Sequence, residues 1–305
     1  MKITGTSLPP KYHRTMPKCI KQMLCIGMLP LTIGCTEQKP DIQPPESQVG
    51  WMSNVKVIAA TGQDSKTLFV PYPPIFDNFS SSYLNSLFNE LEQPKCQSIE
   101  EASETLIKNG YKLFPFWPLK TFPTETPRKL GMFNKNDKEN TKIVLLINGD
   151  DPKDKNNIQL FKKDCQVARE KLRTIYNLPE RNLYSLSIPD IAGGYTKAKG
   201  DSAFKDIVTK IINDLTQNKT PLQNVEFLII YSGHGLIENK TSQGAFEGSK
   251  SMRINIGYEK DLKKFINNNS ALKKLKGILF LNDTCGSGAL IATKTNFKKL
   301  INFIA

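Results

Sequence analysis

Two residues carry the chemistry of a nucleophile and its base. Cys285 stands in Asn282-Asp283-Thr284-Cys285-Gly286-Ser287-Gly288, and His234 in Tyr231-Ser232-Gly233-His234-Gly235. A thiol attacks a carbonyl once a base takes its proton or its surroundings depress its pKa. Imidazole can take that proton and later protonate a leaving amine. The chain holds two histidines, and the other, His13, lies in a basic N-terminal stretch. Glycines beside both residues let the backbone approach a substrate closely and turn tightly. The N–H groups of Gly235 and Cys285 are then candidates to face a carbonyl oxygen as it becomes an oxyanion. A histidine beside glycine is usually a loop residue and a cysteine after a strand is usually core, so neither alone carries the assignment.

The pair gains weight from the elements that lead to it. Val225–Tyr231 and Gly277–Leu281 are apolar runs of strand length, one before each motif. Ile143–Ile147 is a third, ended by Asn148-Gly149-Asp150-Asp151-Pro152, and Leu183–Ser187 is a shorter fourth. Between them lie helical stripes. Ile158, Phe161, Cys165, Ala168, Leu172 and Ile175 recur at alternating spacings of three and four, as one face of a helix does. Phe204 to Leu215 marks a second helix, and Tyr258 to Ile266 opens a third with a break expected at residues 267–270. A short strand is expected at Arg253–Ile256, and a last helix near Phe297–Ile304. Strands alternating with helices predict a parallel sheet covered on both faces. Its working site lies beyond the carboxyl ends of the strands. If the strands before His234 and Cys285 are neighbours, both residues project from one edge.

Upstream, Val55–Ala60 reads as a strand, and Tyr83–Leu91 and Ile99–Lys108 as helices. The run Leu113-Phe114-Pro115-Phe116-Trp117-Pro118 cannot be regular helix. Residues 121–141 are polar and read as a linker or surface loop.

The block from about residue 142 resembles the caspase-like cysteine peptidases: caspases, metacaspases, legumain-like enzymes and gingipain-like bacterial relatives. Tyr231-Ser232-Gly233-His234-Gly235 is similar to the metacaspase histidine motif, and Asp283-Thr284-Cys285-Gly286-Ser287-Gly288 to the cysteine motif Asp-x-Cys-x-Ser-Gly. The two stand 51 residues apart, near the caspase dyad spacing. The match covers roughly half the chain. It implies His234 as general base and acid, Cys285 as nucleophile, and Gly235 with Cys285 as oxyanion hole. It also implies Asp283 as an acid in the pocket for the residue before the cut, hence cleavage after Arg or Lys, because a shielded carboxylate pairs well with a cation. Asp150 and Asp151 are further pocket candidates, although their place before Pro152 suits plain turn residues better. Caspase-type specificity for Asp is not expected, since Asp-Thr-Cys replaces Gln-Ala-Cys. Only 20 residues follow Cys285, fewer than the family fold uses. The expected fold is therefore α/β: a caspase-like three-layer sandwich with a mostly parallel central sheet, incomplete at the C-terminus, plus an N-terminal extension.

The start of the chain reads as a targeting segment. Residues 1–35 carry five Lys or Arg and no acid, and Met23–Gly34 is an apolar stretch too short to span a bilayer comfortably. Its ending Leu-Thr-Ile-Gly-Cys resembles the lipobox of bacterial lipoproteins, where cleavage precedes the Cys and the new terminal Cys carries lipid. Cys35 would be that residue, giving an exported, membrane-anchored protein; plain secretion is the alternative. Four segments follow: 1–35 signal, 36–54 flexible tether, 55–141 N-terminal α/β region and linker, and 142–305 partial caspase-like peptidase domain.

Composition sets limits on the rest. Apolar residues at 39% and charged residues at 23% exclude a wholly disordered chain. The net charge of +13 comes from Lys spread along the chain, without an Arg-rich run interleaved with aromatics, so no nucleic-acid partner is expected. Two His and scattered Cys do not give zinc-ligand spacing, and no metal or cofactor is expected. In an oxidising compartment Cys96 and Cys165 could pair, but a core thiol fits Cys165 better. Three functions stay open: an endopeptidase acting on protein or peptide substrates, a catalytically inactive caspase-like binding module, and a legumain-like transamidase. The oligomeric state stays open too.

Overall fold

A computed structural model describes residues 53–60, 79–112, 120–126, 128–150, 159–191, 197–236, 245–249, 252–254 and 259–284. The strands are β1 (Val55–Ala59), β2 (Tyr111–Lys112), β3 (Lys120–Thr121), β4 (Thr124–Glu125), β5 (Thr141–Gly149), β6 (Leu183–Ser187), β7 (Val225–Leu236), β8 (Ala245–Ser249), β9 (Met252–Ile254) and β10 (Gly277–Asp283). The helices are α1 (Ser82–Leu91), α2 (Ile99–Asn109), α3 (Leu160–Tyr176), α4 (Lys197–Gln217), α5 (Glu259–Asn268) and α6 (Ser270–Lys274).

The central sheet has the order β4-β1-β10-β7-β5-β6. Every neighbouring pair is parallel except β4 with β1. The continuous apolar runs become its middle strands, as expected where both faces are covered. All seven residues of β10 are buried, and in β5 every residue from Lys142 to Gly149. Alternate side chains feed two cores. Leu145, Ile147, Phe227, Ile229 and Phe280 pack on one face with Phe204, Val208 and Ile211 of α4. Val144, Leu146, Leu228, Ile230 and Leu281 pack on the other face against α1, α2 and α3.

The helix ends follow from local chemistry. Ser81 caps α1, its hydroxyl accepting from Leu84 N–H at 3.1 Å. Ser98 caps α2 and accepts from Glu101 N–H, while the Glu101 carboxylate reaches back to Gln97 N–H at 2.7 Å. The break expected at residues 267–270 falls at Asn269, which caps α6 through Ala271 and Leu272 N–H.

Residues 55–141 are not a separate extension. β1 pairs along its length with β10, from Val55 opposite Ile278 to Ala59 opposite Asn282. The edge of β10 turned away from β7 is therefore taken by a strand from the N-terminal part of the chain. Phe79, Tyr83, Leu84, Leu87 and Phe88 share one core with β5, β7 and β10, and the described residues belong to one compact unit. Nor is 121–141 only a surface linker. Met132 and Phe133 are buried, and two acids hold the loop: Glu100 accepts from Leu130 and Met132 N–H, and Glu226 from Phe133 N–H. The targeting segment with Cys35, most of the tether, the 113–118 run and the helix expected near residues 297–304 lie outside the described residues. No helix among the described residues is long and apolar enough to cross a membrane.

Candidate active site

The candidate residues fall at the carboxyl ends of β5, β7 and β10. β7 and β10 run side by side in parallel, with Asn282 opposite Tyr231 and Asp283 opposite Ser232. His234 comes two residues after Ser232, and Cys285 two residues after Asp283. β5 flanks the other side of β7, with Gly149 opposite Gly233. Past Gly233 the β7 backbone leaves the main sheet for a hairpin, where His234 stands opposite Glu247 and Gly235 opposite Phe246. Cys285 and Asp151 lie outside the described residues.

Gly233 has a packing reason to be glycine. A Cβ there would sit 2.5 Å from the Tyr231 hydroxyl, and one on Gly149 would meet the same oxygen at 2.5 Å. The tyrosine leans over both glycines toward the strand ends. A larger residue at either position would push its ring away.

Asp283 is fully buried. The Ser232 hydroxyl donates to its Oδ2 at 3.3 Å, and the Ser81 hydroxyl lies against the same carboxyl group. Among the described residues, Oδ1 has no hydrogen-bond partner and no Lys or Arg pairs with the group. Burial pushes its pKa up to about 7, with Ser81 and Ser232 pulling the other way. The pocket-acid role implied by the resemblance requires a carboxyl open to a substrate cation, and this one is closed.

Asp150 does different work from the pocket role considered for it. Its backbone N–H donates to Asn148 Oδ1, closing a turn, and its carboxylate accepts from Phe161 and Lys162 N–H at 3.2 and 3.0 Å. Those are first-turn donors of α3 that the helix cannot satisfy itself. Asp164, one turn on, accepts from Ser80 and Ser81 N–H and so holds the start of α1. Burial raises the Asp164 pKa, and the Asp283 charge adds to the rise.

Cys96 and Cys165 are free and buried. Burial pushes the Cys165 thiol well up, and Asp164, Asp150 and Asp283 push it further. It is an inert core thiol, not a nucleophile. An open cleft of about 960 Å³ lies at the opposite end of the sheet, where β5 and β6 begin, lined by Lys142, Tyr176, Leu183, Lys210 and Asp214 among others. Several of its charges are engaged with one another or with neighbours, as in Lys210–Asp214 and Lys142–Glu226.

Ser81, Ser232 and Asp164 carry no role in the sequence-based expectation. Ser80-Ser81-Ser82 before an apolar helical run is a legible capping signal. Nothing local reveals that Asp164 would supply the second half of that cap from a distant helix. No protein-family model, curated protein or solved structure matches this chain.

Proposed function

We propose that the chain is a cysteine-type endopeptidase of the caspase-like kind, with Cys285 as nucleophile and His234 as general base and acid. The observation that supports this is the parallel pairing of β7 with β10, with Ser232, two residues before His234, opposite Asp283, two residues before Cys285. The helix-covered, mostly parallel sheet supports a caspase-like sandwich, with β1 paired beside β10.

His234 takes the Cys285 proton, and the thiolate attacks the scissile carbonyl carbon. The N–H groups of Gly235 and Cys285 hold the resulting oxyanion. As the C–N bond breaks, His234 gives its proton to the leaving amine, and a thioester remains. Water then attacks the thioester, His234 takes a proton from it, and the C–S bond breaks to release the acid. Export and a lipid anchor at Cys35 would place this chemistry outside the cytosol. Cleavage after Arg or Lys is a separate proposal, since it requires the Asp283 carboxyl to become accessible to a cation.

Fluorogenic peptides with Arg, Lys, Asp or Leu before the cut test the assignment. Turnover by the wild type should fall by about a thousandfold or more in both Cys285→Ala and His234→Ala. Activity that persists in Cys285→Ala removes the nucleophile assignment.

A further inference from the structure

Asp283 has a place in the fold that substrate binding does not explain. It stands at the end of the strand that leads to Cys285. Its direct cross-strand partner is Ser232, at the end of the strand that carries His234. On a third side is Ser81, the residue that caps α1. The Ser81 hydroxyl already accepts from Leu84 N–H, which leaves its own proton free to turn toward Asp283. Asp164 fixes the same cap from α3 through Ser80 and Ser81 N–H. One buried carboxyl thus meets two strand ends and a helix cap.

We infer that Asp283 is a positioning residue: by holding Ser232 and Ser81 at once, it locks the ends of β7 and β10 and the start of α1 into one frame and so fixes Cys285 against His234. This rests on the dyad reading for the identity of the two residues being aligned. The groups facing the carboxyl bear on how it does so. Among the described residues they are Ser81 and Tyr83 from α1, Asp164 and Cys165 from α3, and Ser232 from β7. None is a cation, and Asp164 is a second acid. Burial therefore raises the carboxyl's pKa to about 7, while the two serine donors that make up the frame favour its charged form. A residue that holds the frame acts on every substrate alike. A pocket acid acts on cationic substrates alone.

The test compares wild type with Asp283→Asn, Asp283→Ala and Ser232→Ala. It reads the iodoacetamide alkylation rate of Cys285 against pH, and kcat and KM for peptides with Arg or Leu before the cut. In Asp283→Ala, kcat should fall by at least about tenfold for both peptides with KM unchanged, and Cys285 alkylation should slow by a similar factor. Ser232→Ala should change both readouts in the same direction by less. Asp283→Asn keeps an acceptor for Ser232, so it should restore most of the rate. A rise in KM for the Arg peptide alone, in Asp283→Asn, would overturn the proposal in favour of a substrate-binding acid. So would wild-type alkylation kinetics in folded Asp283→Ala. If the wild type cleaves neither peptide, the peptidase reading falls, and the alkylation comparison still decides the role of Asp283.

Discussion

An acid buried beside a second acid, with two hydroxyls and, among the described residues, no cation for company, makes its own stability curve. The pKa of Asp283 in the fold, about 7, lies above its ordinary value, so the native state holds a proton that the unfolded chain releases. Its contribution is fully present below about pH 4 and is lost as pH rises through about 7, a change on the order of a few kcal/mol. Asp283→Asn should remove that slope. Thermal unfolding from about pH 5 to about pH 8 should show the variant gaining on the wild type as pH rises; parallel curves would contradict the burial argument. The same setting predicts which thiols react. Cys165, pushed up by burial and three carboxylates, and buried Cys96 should resist alkylation in the native protein and react after unfolding. Mass mapping of labelled peptides reads this directly, and native labelling of Cys165 would refute it.

At the scale of elements, the strands and helices around the motifs were legible because period and length agree. β5, β7 and β10 are uninterrupted apolar runs, and α3 shows its stripe in Phe161, Cys165, Ala168 and Leu172. The hairpin of β8 and β9 lacks such a pattern, and only Arg253–Ile256 hinted at it. β1 was readable as a strand but not as part of this sheet, because pairing with β10 spans more than two hundred residues and nothing local encodes it. Lys56 in its middle hides the pattern further. It is buried, 3.1 Å from Glu125 and 3.8 Å from Glu100, and donates to the Arg128 carbonyl. Removing one partner of a buried pair strands the other, at about 3–5 kcal/mol. Glu100 keeps two backbone N–H donors, so Lys56→Ala should fall near the lower end, measured as a shift in urea midpoint. A loss below about 1 kcal/mol would mean that the pair is no better than a surface one. Gly233→Ala belongs here too. Its methyl would sit 2.5 Å from the Tyr231 hydroxyl, and the displaced ring should cost about 1–3 kcal/mol in the same measurement.

For the whole molecule, the expected boundary at residues 141 and 142 divides a core that the fold does not divide. Phe79, Tyr83, Leu84, Leu87, Phe88, Leu91, Ile99 and Leu106 cover one face of the sheet. At about 1.5–3 kcal/mol for each side chain, their burial matches or exceeds the whole stability of an ordinary domain. A chain trimmed to residues 142–305 should therefore fail to fold, with exposed apolar surface detected by dye binding, while residues 44–305 should unfold cooperatively. Cooperative folding of the shorter chain would restore the boundary. The two strand ends were legible, since apolar runs stop at Gly-His-Gly and Asp-Thr-Cys-Gly, but their adjacency was a condition that only the β7–β10 register meets. The burial of Asp283 was not, because it depends on serines brought in from β7 and from the cap of α1. A working dyad requires that the imidazole of His234 lower the pKa of the Cys285 thiol. Iodoacetamide alkylation of Cys285 across pH, followed by mass spectrometry in wild type and His234→Ala, measures this. A midpoint well below the ordinary value of about 8.5 in the wild type, returning to it in the variant, is the predicted result; ordinary and equal midpoints in the two proteins would contradict the dyad.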